Sequence, residues 1–354
     1  MDVLFEIPVV GLAFQLADYM LRVLTVNGAI ILALAAPLAL GAFCGVMNER
    51  SGVVNIGIEG MMLSAAFSGW FVGSLVVQSF PEQPVFIAGA TPALLLGLLA
   101  AIVTGMAVSA VHAWLSITVH ADQIISGTII NIVAIGVTGY LILIISRASP
   151  PSAGKFAVFQ PPEWLVDLPF VGWIFNMFLA QGPITMSVIV LAIVLQVLLF
   201  RSRWGLRTRA VGEHPRAAET VGVDVIRLRY RNVILGGIFA GLAGAWFTLD
   251  FGSSFQSGMT NGRGFIALAA LIFGRWTPLG AFGAALLFAG AGSLSIAIRT
   301  VPPTGQLGDI LTAIPDQFWS ALPYLVTIIV LAGVVGRSIA PAAVGRPYER
   351  ESAT

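Results

Sequence analysis

The stretch QIISGTIINIVAIGVTGYLILIIS, residues 123–146, decides the fold. It contains no Asp, Glu, Lys or Arg, and it exceeds the ~20 residues that about 30 Å of hydrocarbon requires of a helix. In lipid the backbone must satisfy its own polar groups, so such a segment is helical. Uncharged runs recur at Val85–Ala110, Ile184–Phe200 and Asn232–Leu249. Composition agrees: of 354 residues, 57% are hydrophobic and 10% charged, against about 25% charged in soluble chains. The expectation is an all-α polytopic membrane protein.

Charge gives the orientation. Arg201, Arg203, Arg207, Arg209, Arg216, Arg227, Arg229 and Arg231 crowd one segment beside only Glu213, Glu219 and Asp224. Basic residues in short loops mark the cytoplasmic side, which places 201–231 inside. Working back, 147–183 lies outside. That segment holds Pro150, Pro151, Pro161, Pro162 and Pro169, with Arg147 and Lys155 its only basic residues. Further spans fall at 61–79 and 28–46. Working forward, Asn232–Leu249 leads out, Phe265–Phe273 dips inward, and 279–298 and 322–336 follow. About eight to ten spans are expected at this length per crossing.

The domain reading is an N-terminal segment 1–27, a transmembrane domain 28–337 and a cytoplasmic tail 338–354. Residues 1–24 lack the basic start of a signal peptide; they form either an interfacial helix or a poor first span carrying Asp18 and Arg22. The net charge of +1 argues neither for nor against nucleic acid, and no such partner is expected. The one cysteine, Cys44, excludes an intramolecular disulfide and reads as a small core residue.

Phe265–Phe273 is too short for an ordinary crossing. It lies between Gly258, Gly262 and Gly264 on one side and Gly274, Pro278 and Gly280 on the other. Gly52, Gly57 and Gly60 interrupt the chain in the same manner before residues 61–79. Aligned without gaps, 57–69 and 262–274 share Gly57/Gly262, Leu63/Leu268, Ala65/Ala270 and Gly69/Gly274. Broken helices of opposite direction at matching places are the pattern of an inverted repeat with a site at the midplane.

Ionisable groups at membrane depth cost a few kcal/mol each and default to functional hypotheses. One cluster is Asn48, Glu49, Arg50, Asn55 and Glu59; a second is Asp122, Gln123 and Asn131; a third is Asp250, Asn261, Arg263 and Arg275. Glu49 with Arg50, or Glu59 with Arg263, could cancel charge as pairs. Asn48, Glu49, Asn55, Glu59, Gln123, Asn131, Asn261, Arg263 and Phe265 are the candidates for the substrate pathway. The bland alternative is hydrogen-bonded glue between helices or interfacial groups meeting water. Phe255, Phe265 and Trp276 fit either stacking on a ligand or packing. His112, His120 and His214 are too scattered for a metal site and read as interface or loop residues. The chain has no G-x-x-x-x-G-K-[ST] phosphate loop, no G-x-S-x-G nucleophile and no nucleophile–base pair, so it is not expected to be an enzyme.

Four blocks carry a family resemblance: NERSGVVNIGIEGMML at 48–63, DQIISGTIIN at 122–131, GLRTRAVGEHPRAAETVGV at 205–223 and GMTNGRGFIALAALIFGRW at 258–276. Together they resemble permeases of nucleoside-type ABC importers, within the broader group of ribose and branched-chain amino-acid permeases. The resemblance runs from about residue 28 to 335. It implies a multi-pass subunit of the cell (inner) membrane and a second permease chain, expected to differ in sequence. It also implies cytoplasmic ABC ATPases that hold ATP and Mg, and an extracytoplasmic substrate-binding protein. No cofactor is expected in this chain. Ala217, Ala218, Glu219 and Gly222 resemble the short coupling helix that docks on the ATPase, with Glu213, His214, Pro215 and Arg216 leading into it. Proline suits a first helical turn, where its missing N–H is harmless. The cargo alternatives are a pentose or a branched-chain amino acid. The alternative of another class is an ion-coupled secondary transporter, which would leave the GEHPRAAE order without a purpose.

Overall fold

A computed structural model describes residues 8–168, 171–303, 305–329 and 339–349, and among these the secondary structure is helical, without strands. Helix α1 runs from Pro8 to Glu49 as 42 residues with no break at residue 27. α2 (Ile58–Ser79), α3 (Pro92–Ala113) and α4 (Gln123–Ile145) follow. Next come the short α5 (Glu163–Val166) and α6 (Gly172–Leu179), then α7 (Pro183–Arg201). α8 (Arg203–Glu213) and α9 (Pro215–Thr220) make up the arginine-rich segment, and α10 (Val225–Ala245) leads away from it. α11 (Arg263–Phe273), α12 (Pro278–Thr300), α13 (Gly305–Ala313) and α14 (Asp316–Ile329) complete the order. The expected span at 322–336 is seen as α14 up to Ile329, and its remainder lies outside the described residues.

Among the described residues six helices are long and apolar enough to cross a membrane, including Phe14–Glu49, Gln123–Ala148 and Val225–Phe251; Arg263–Phe273 and Pro278–Leu294 are shorter apolar helices. Their ends follow from local chemistry. The expected helix at 85–110 starts only at Pro92, because Thr91 Oγ1 accepts the Leu94 N–H at 3.3 Å and proline occupies the first turn. α10 begins earlier than its apolar run, because Asp224 Oδ1 accepts the Arg227 N–H at 3.0 Å. α11 has 11 residues, about 16 Å at ~1.5 Å per residue, half of a hydrocarbon core.

The chain divides into two compact units. One gathers the described parts of Met1–Ala35, Val158–Gln181 and Leu286–Val335. Its core is Tyr19, Val23 and Ala297 with Leu12, Leu294, Ile298, Val301 and Leu311 against them. Asn27 Nδ2 donates to Thr300 Oγ1 at 3.0 Å, and Gln181 Nε2 donates to the Ala29 and Met177 carbonyls at 2.8 Å. The N-terminal part of α1 is thus held by specific polar contacts.

The other unit comprises the described parts of Ala36–Ala157, Gly182–Ala285 and Gly336–Thr354. Its centre is α2, α3 and α10, packed closely on one another. Apolar side chains gain little by leaving lipid, so small residues that let backbones approach are what join such helices. A Cβ at Gly105 would stand 2.4 Å from the Gly237 carbonyl oxygen, so α3 and α10 touch there by backbone. Ser109 Oγ seals the same contact by donating to the Val233 carbonyl at 2.6 Å. α4 turns Ile125, Ile132, Val133 and Tyr140 outward, a surface suited to lipid.

Candidate functional site

α1 ends by unwinding. The Ser51 and Val53 N–H groups both donate to the Asn48 carbonyl, and Gly52, at φ 93°, donates to the Glu49 carbonyl. Residues 53–57 then run without helix, so their backbone needs partners from elsewhere. Gln123 Oε1 accepts the Val54 N–H at 2.7 Å, and His112 Nε2 meets the Val54 carbonyl at 2.8 Å. Asn131 bridges both ends of the gap: its Nδ2 donates to the Ile56 carbonyl at 3.0 Å and its Oδ1 accepts from Gly60 N at 2.8 Å. Asn55 Oδ1 accepts from Gly57 N at 3.0 Å, turning the chain into α2. Gln123, Asn131 and Asn55 are all buried. His112, read from sequence as an interface or loop residue, is fully buried in α3 and also meets Ser126 Oγ at 3.1 Å. Nothing in its sequence neighbourhood announces that the chain opposite has lost its helix.

Glu59, in the first turn of α2, reaches the start of α11. Its Oε1 accepts from Thr260 Oγ1 at 2.6 Å and Gly262 N at 2.8 Å, and its Oε2 accepts from Gly264 N at 2.6 Å. The carboxylate therefore caps a helix N-terminus, where free N–H groups and the dipole favour negative charge. The approach requires glycine, since a Cβ on Gly264 would lie 2.5 Å from Glu59 Cα.

The expected Glu49–Arg50 pair does not form. Glu49 accepts from the Trp276 indole N–H. Arg50 donates through Nε to the Trp276 carbonyl at 2.8 Å and through Nη2 to the Arg275 carbonyl at 3.2 Å. Arg275 and Trp276 stand at φ 52° and 53°, a left-handed conformation that side chains other than glycine rarely adopt without support. Both partners are thereby spent on holding the strained end of α11. Arg263 donates to the Met259 and Thr260 carbonyls at 3.3 and 3.5 Å, and its guanidinium lies 5.5 Å from the Phe247 ring centroid.

The sequence-derived candidates thus sort into two groups. Asn48, Glu49, Asn55, Glu59, Gln123 and Asn131 are buried; Asn48 Nδ2 meets Cys44 Sγ at 3.6 Å, while Asn48 Oδ1 and Gln123 Nε2 have no partner. Asn261 and Phe265 are exposed and Arg263 is half-buried, all at the mouth of α11. Of the aromatic candidates, Phe265 is 49% exposed, whereas Phe255 is buried edge-on against Phe67 at 5.2 Å. Asp250 lies elsewhere in this unit: it caps α7, accepting from Ile184 N, Thr185 N and Thr185 Oγ1 at 3.2, 3.1 and 2.8 Å.

In the arginine-rich segment, His214 occupies the N-cap of α9 and Pro215 its first turn. Gly222, at φ 83°, donates to the Glu219 carbonyl at 2.8 Å, and Val223 N donates to the Ala218 carbonyl at 3.1 Å. This pair of bonds closes a Schellman motif and ends the helix. Glu213, His214, Arg216 and Ala217 face outward, Pro215 and Glu219 are half-buried, and Ala218 is buried. Residues the motifs did not indicate complete the surroundings. Ala342, Ala343, Arg346 and Tyr348 join Glu213–Ala217 around a cleft of about 600 Å3. Tyr348, the one aromatic among residues 338–354, was the trace of this in the sequence.

Comparison with known proteins supplies the frame for this geometry. The family model described as "Branched-chain amino acid transport system / permease component" matches residues 27–331. The guanosine ABC transporter permease protein NupQ of Bacillus subtilis is 41% identical over 315 residues, covering 89% of this chain and 93% of that one. The nucleoside ABC transporter permease protein NupC of Lactococcus lactis subsp. cremoris is 34% identical over 314 residues, covering 89% and 93%. The putative glucose ABC transporter permease protein TsgC13 of Haloferax volcanii is 36% identical over 340 residues, covering 90% and 95%. No solved structure matches the chain.

Proposed function

From the premise that this chain belongs to the family of branched-chain amino acid transport system permease components, we propose that it is the nucleoside-translocating subunit of an ATP-driven importer. It is a multi-pass protein of the cell membrane and an ABC transporter permease. The observation that carries the nucleoside reading is the 41% identity with a guanosine permease over 89% of this chain. The geometry is compatible with it. The mouth of α11 offers a half-exposed phenyl ring in Phe265, an amide in Asn261 and a guanidinium in Arg263, which suit the face and polar edge of a base. Asn48, Glu49, Asn55, Glu59, Gln123 and Asn131 would act behind them by fixing the broken segments.

In this reading α9 is the coupling helix. Glu213, His214, Pro215, Arg216, Ala217 and Gly222 would meet a partner ATPase that holds ATP and Mg, while Ala218 and Glu219 anchor the helix to its own subunit. A second permease chain and an extracytoplasmic binding protein complete the machine. ATP shifts the access equilibrium only as far as the ATPase binds the two states differently. A sugar cargo is the second reading, favoured by the 36% identity with the putative glucose permease.

Uptake of radiolabelled nucleosides by cells with and without the gene tests both, with unlabelled glucose, ribose and leucine as competitors. Loss of nucleoside uptake on deletion, with competition only by nucleosides, is the expected result. Unchanged nucleoside uptake with a fall in sugar uptake would overturn the cargo and keep the permease.

A further inference from the structure

We propose that the segment Pro341–Tyr348 is the mechanical link between α9 and the broken segment at 50–52, with Tyr348 as its positioning residue. The proposal rests on the reading of α9 as the coupling helix. α9 has six residues, whereas isolated helices shorter than ~12–15 residues are marginal in water. Its position is therefore set by what it touches. Its buried residue, Ala218, belongs to an apolar cluster with Val211, Val225, Leu228 and Tyr348. The Tyr348 hydroxyl donates to the Glu219 carboxylate, and Ala342 N donates to Glu213 Oε2 at 3.1 Å. The segment thus holds the residues just before α9 and near its end.

The same segment holds the start of the broken region. Ala343 N donates to the Gly212 carbonyl at 2.9 Å, and Gly345 N donates to the Gly52 carbonyl at 3.2 Å. Gly212 lies directly on the chain here, since a Cβ on it would stand 2.3 Å from the Arg50 carbonyl oxygen. Beneath them Arg229 is buried; its Nη1 donates to the Arg346 carbonyl at 3.1 Å and its Cζ lies 5.8 Å from the Tyr348 ring centroid. Arg50, two residues before Gly52, holds the carbonyls of Arg275 and Trp276 beyond the end of α11. An unbroken series of contacts therefore runs from α9 through 341–348 to Gly52 and Arg50, and on to both broken helices. A displacement of α9 that keeps Tyr348 on Glu219 must carry this series with it. Contiguity becomes coupling only when the two ends are measured together.

The experiment uses the complete importer in proteoliposomes and reads cargo imported per ATP hydrolysed. Tyr348→Ala, and a chain ending after Ala340, are expected to lower that ratio about tenfold while the ATPase still copurifies. Tyr348→Phe keeps the ring and removes the hydroxyl that donates to Glu219, and is expected to lower the ratio about fivefold. A purely structural defect would lower import and hydrolysis in proportion; that result, or an unchanged ratio in all three variants, overturns the link. Loss of ATPase copurification on truncation would make the segment a docking element and overturns the link as well. Ala217→Arg, on the exposed face of α9, separates this from the reading beneath it. Undiminished copurification and import in that variant would remove the coupling role of α9 itself. Loss of either, alongside an unchanged ratio in the Tyr348 variants, would remove only the link.

Discussion

A carboxylate buried at membrane depth is costly unless donors are aimed at it, and Glu59 has three within 2.8 Å. Glu59→Gln keeps the shape but turns an amide N–H2 toward one set of N–H donors. The expected loss is about 1.5–3 kcal/mol of stability, the usual worth of a hydrogen bond to a charged group. A lowered melting temperature of the purified variant in detergent, with reduced import, is the check. Phe265 makes the opposite case, because it is 49% exposed. Phe265→Ala is expected to raise the half-saturating nucleoside concentration about tenfold, from the ~1–3 kcal/mol of a base–aromatic stack, and to leave thermal stability near wild type. Unchanged half-saturation would take Phe265 out of the binding site. The sequence pointed to both residues, through an ionisable group and an aromatic beside glycines. It could not tell the buried carboxylate that holds backbone from the ring left half open, because the partners of Glu59 lie 201 to 205 residues away.

At the scale of the element, α9 was legible almost to the residue. The family resemblance implied it and Pro215 marked its first turn, but Gly222, counted with the helix from sequence, lies beyond its end at Thr220 and stops it by its left-handed backbone. Gly222→Ala places an L-residue at φ 83°, a cost of roughly 1–2 kcal/mol, in a helix with few contacts to absorb it. Weaker ATPase copurification and slower import are expected, and a normal yield of inserted permease would locate the defect in this loop. The aligned glycines Gly57 and Gly262 both stand at helix N-caps. The helices they open differ in length, 22 residues against 11. α2 continues through Gly69, whereas α11 stops at Gly274, before the left-handed Arg275 and Trp276. The alignment detected the common start and could not see the different end, which depends on Arg50 from far along the chain.

At the scale of the whole second unit, the backbone contact of α3 with α10 is a strict demand. Gly105→Leu would force a side chain into the Gly237 carbonyl and the Gly241 backbone, and overpacking on this scale has no room to relax. Little monodisperse protein is expected by size-exclusion chromatography, and a normal elution profile would mean that this interface is not the centre of the unit. The sequence by itself determined the helical membrane-spanning class, the short α11 and the arginine-rich loop. Those features depend on apolar run length, charge and turn chemistry, which act over one or two helical turns. Only the tertiary structure decided that Glu59, Gln123 and Asn131 serve the backbone while Phe265 stays open, and that Tyr348 rests on α9. Those outcomes depend on which donors and surfaces long-range packing brings opposite each side chain, and no local pattern in the chain encodes that.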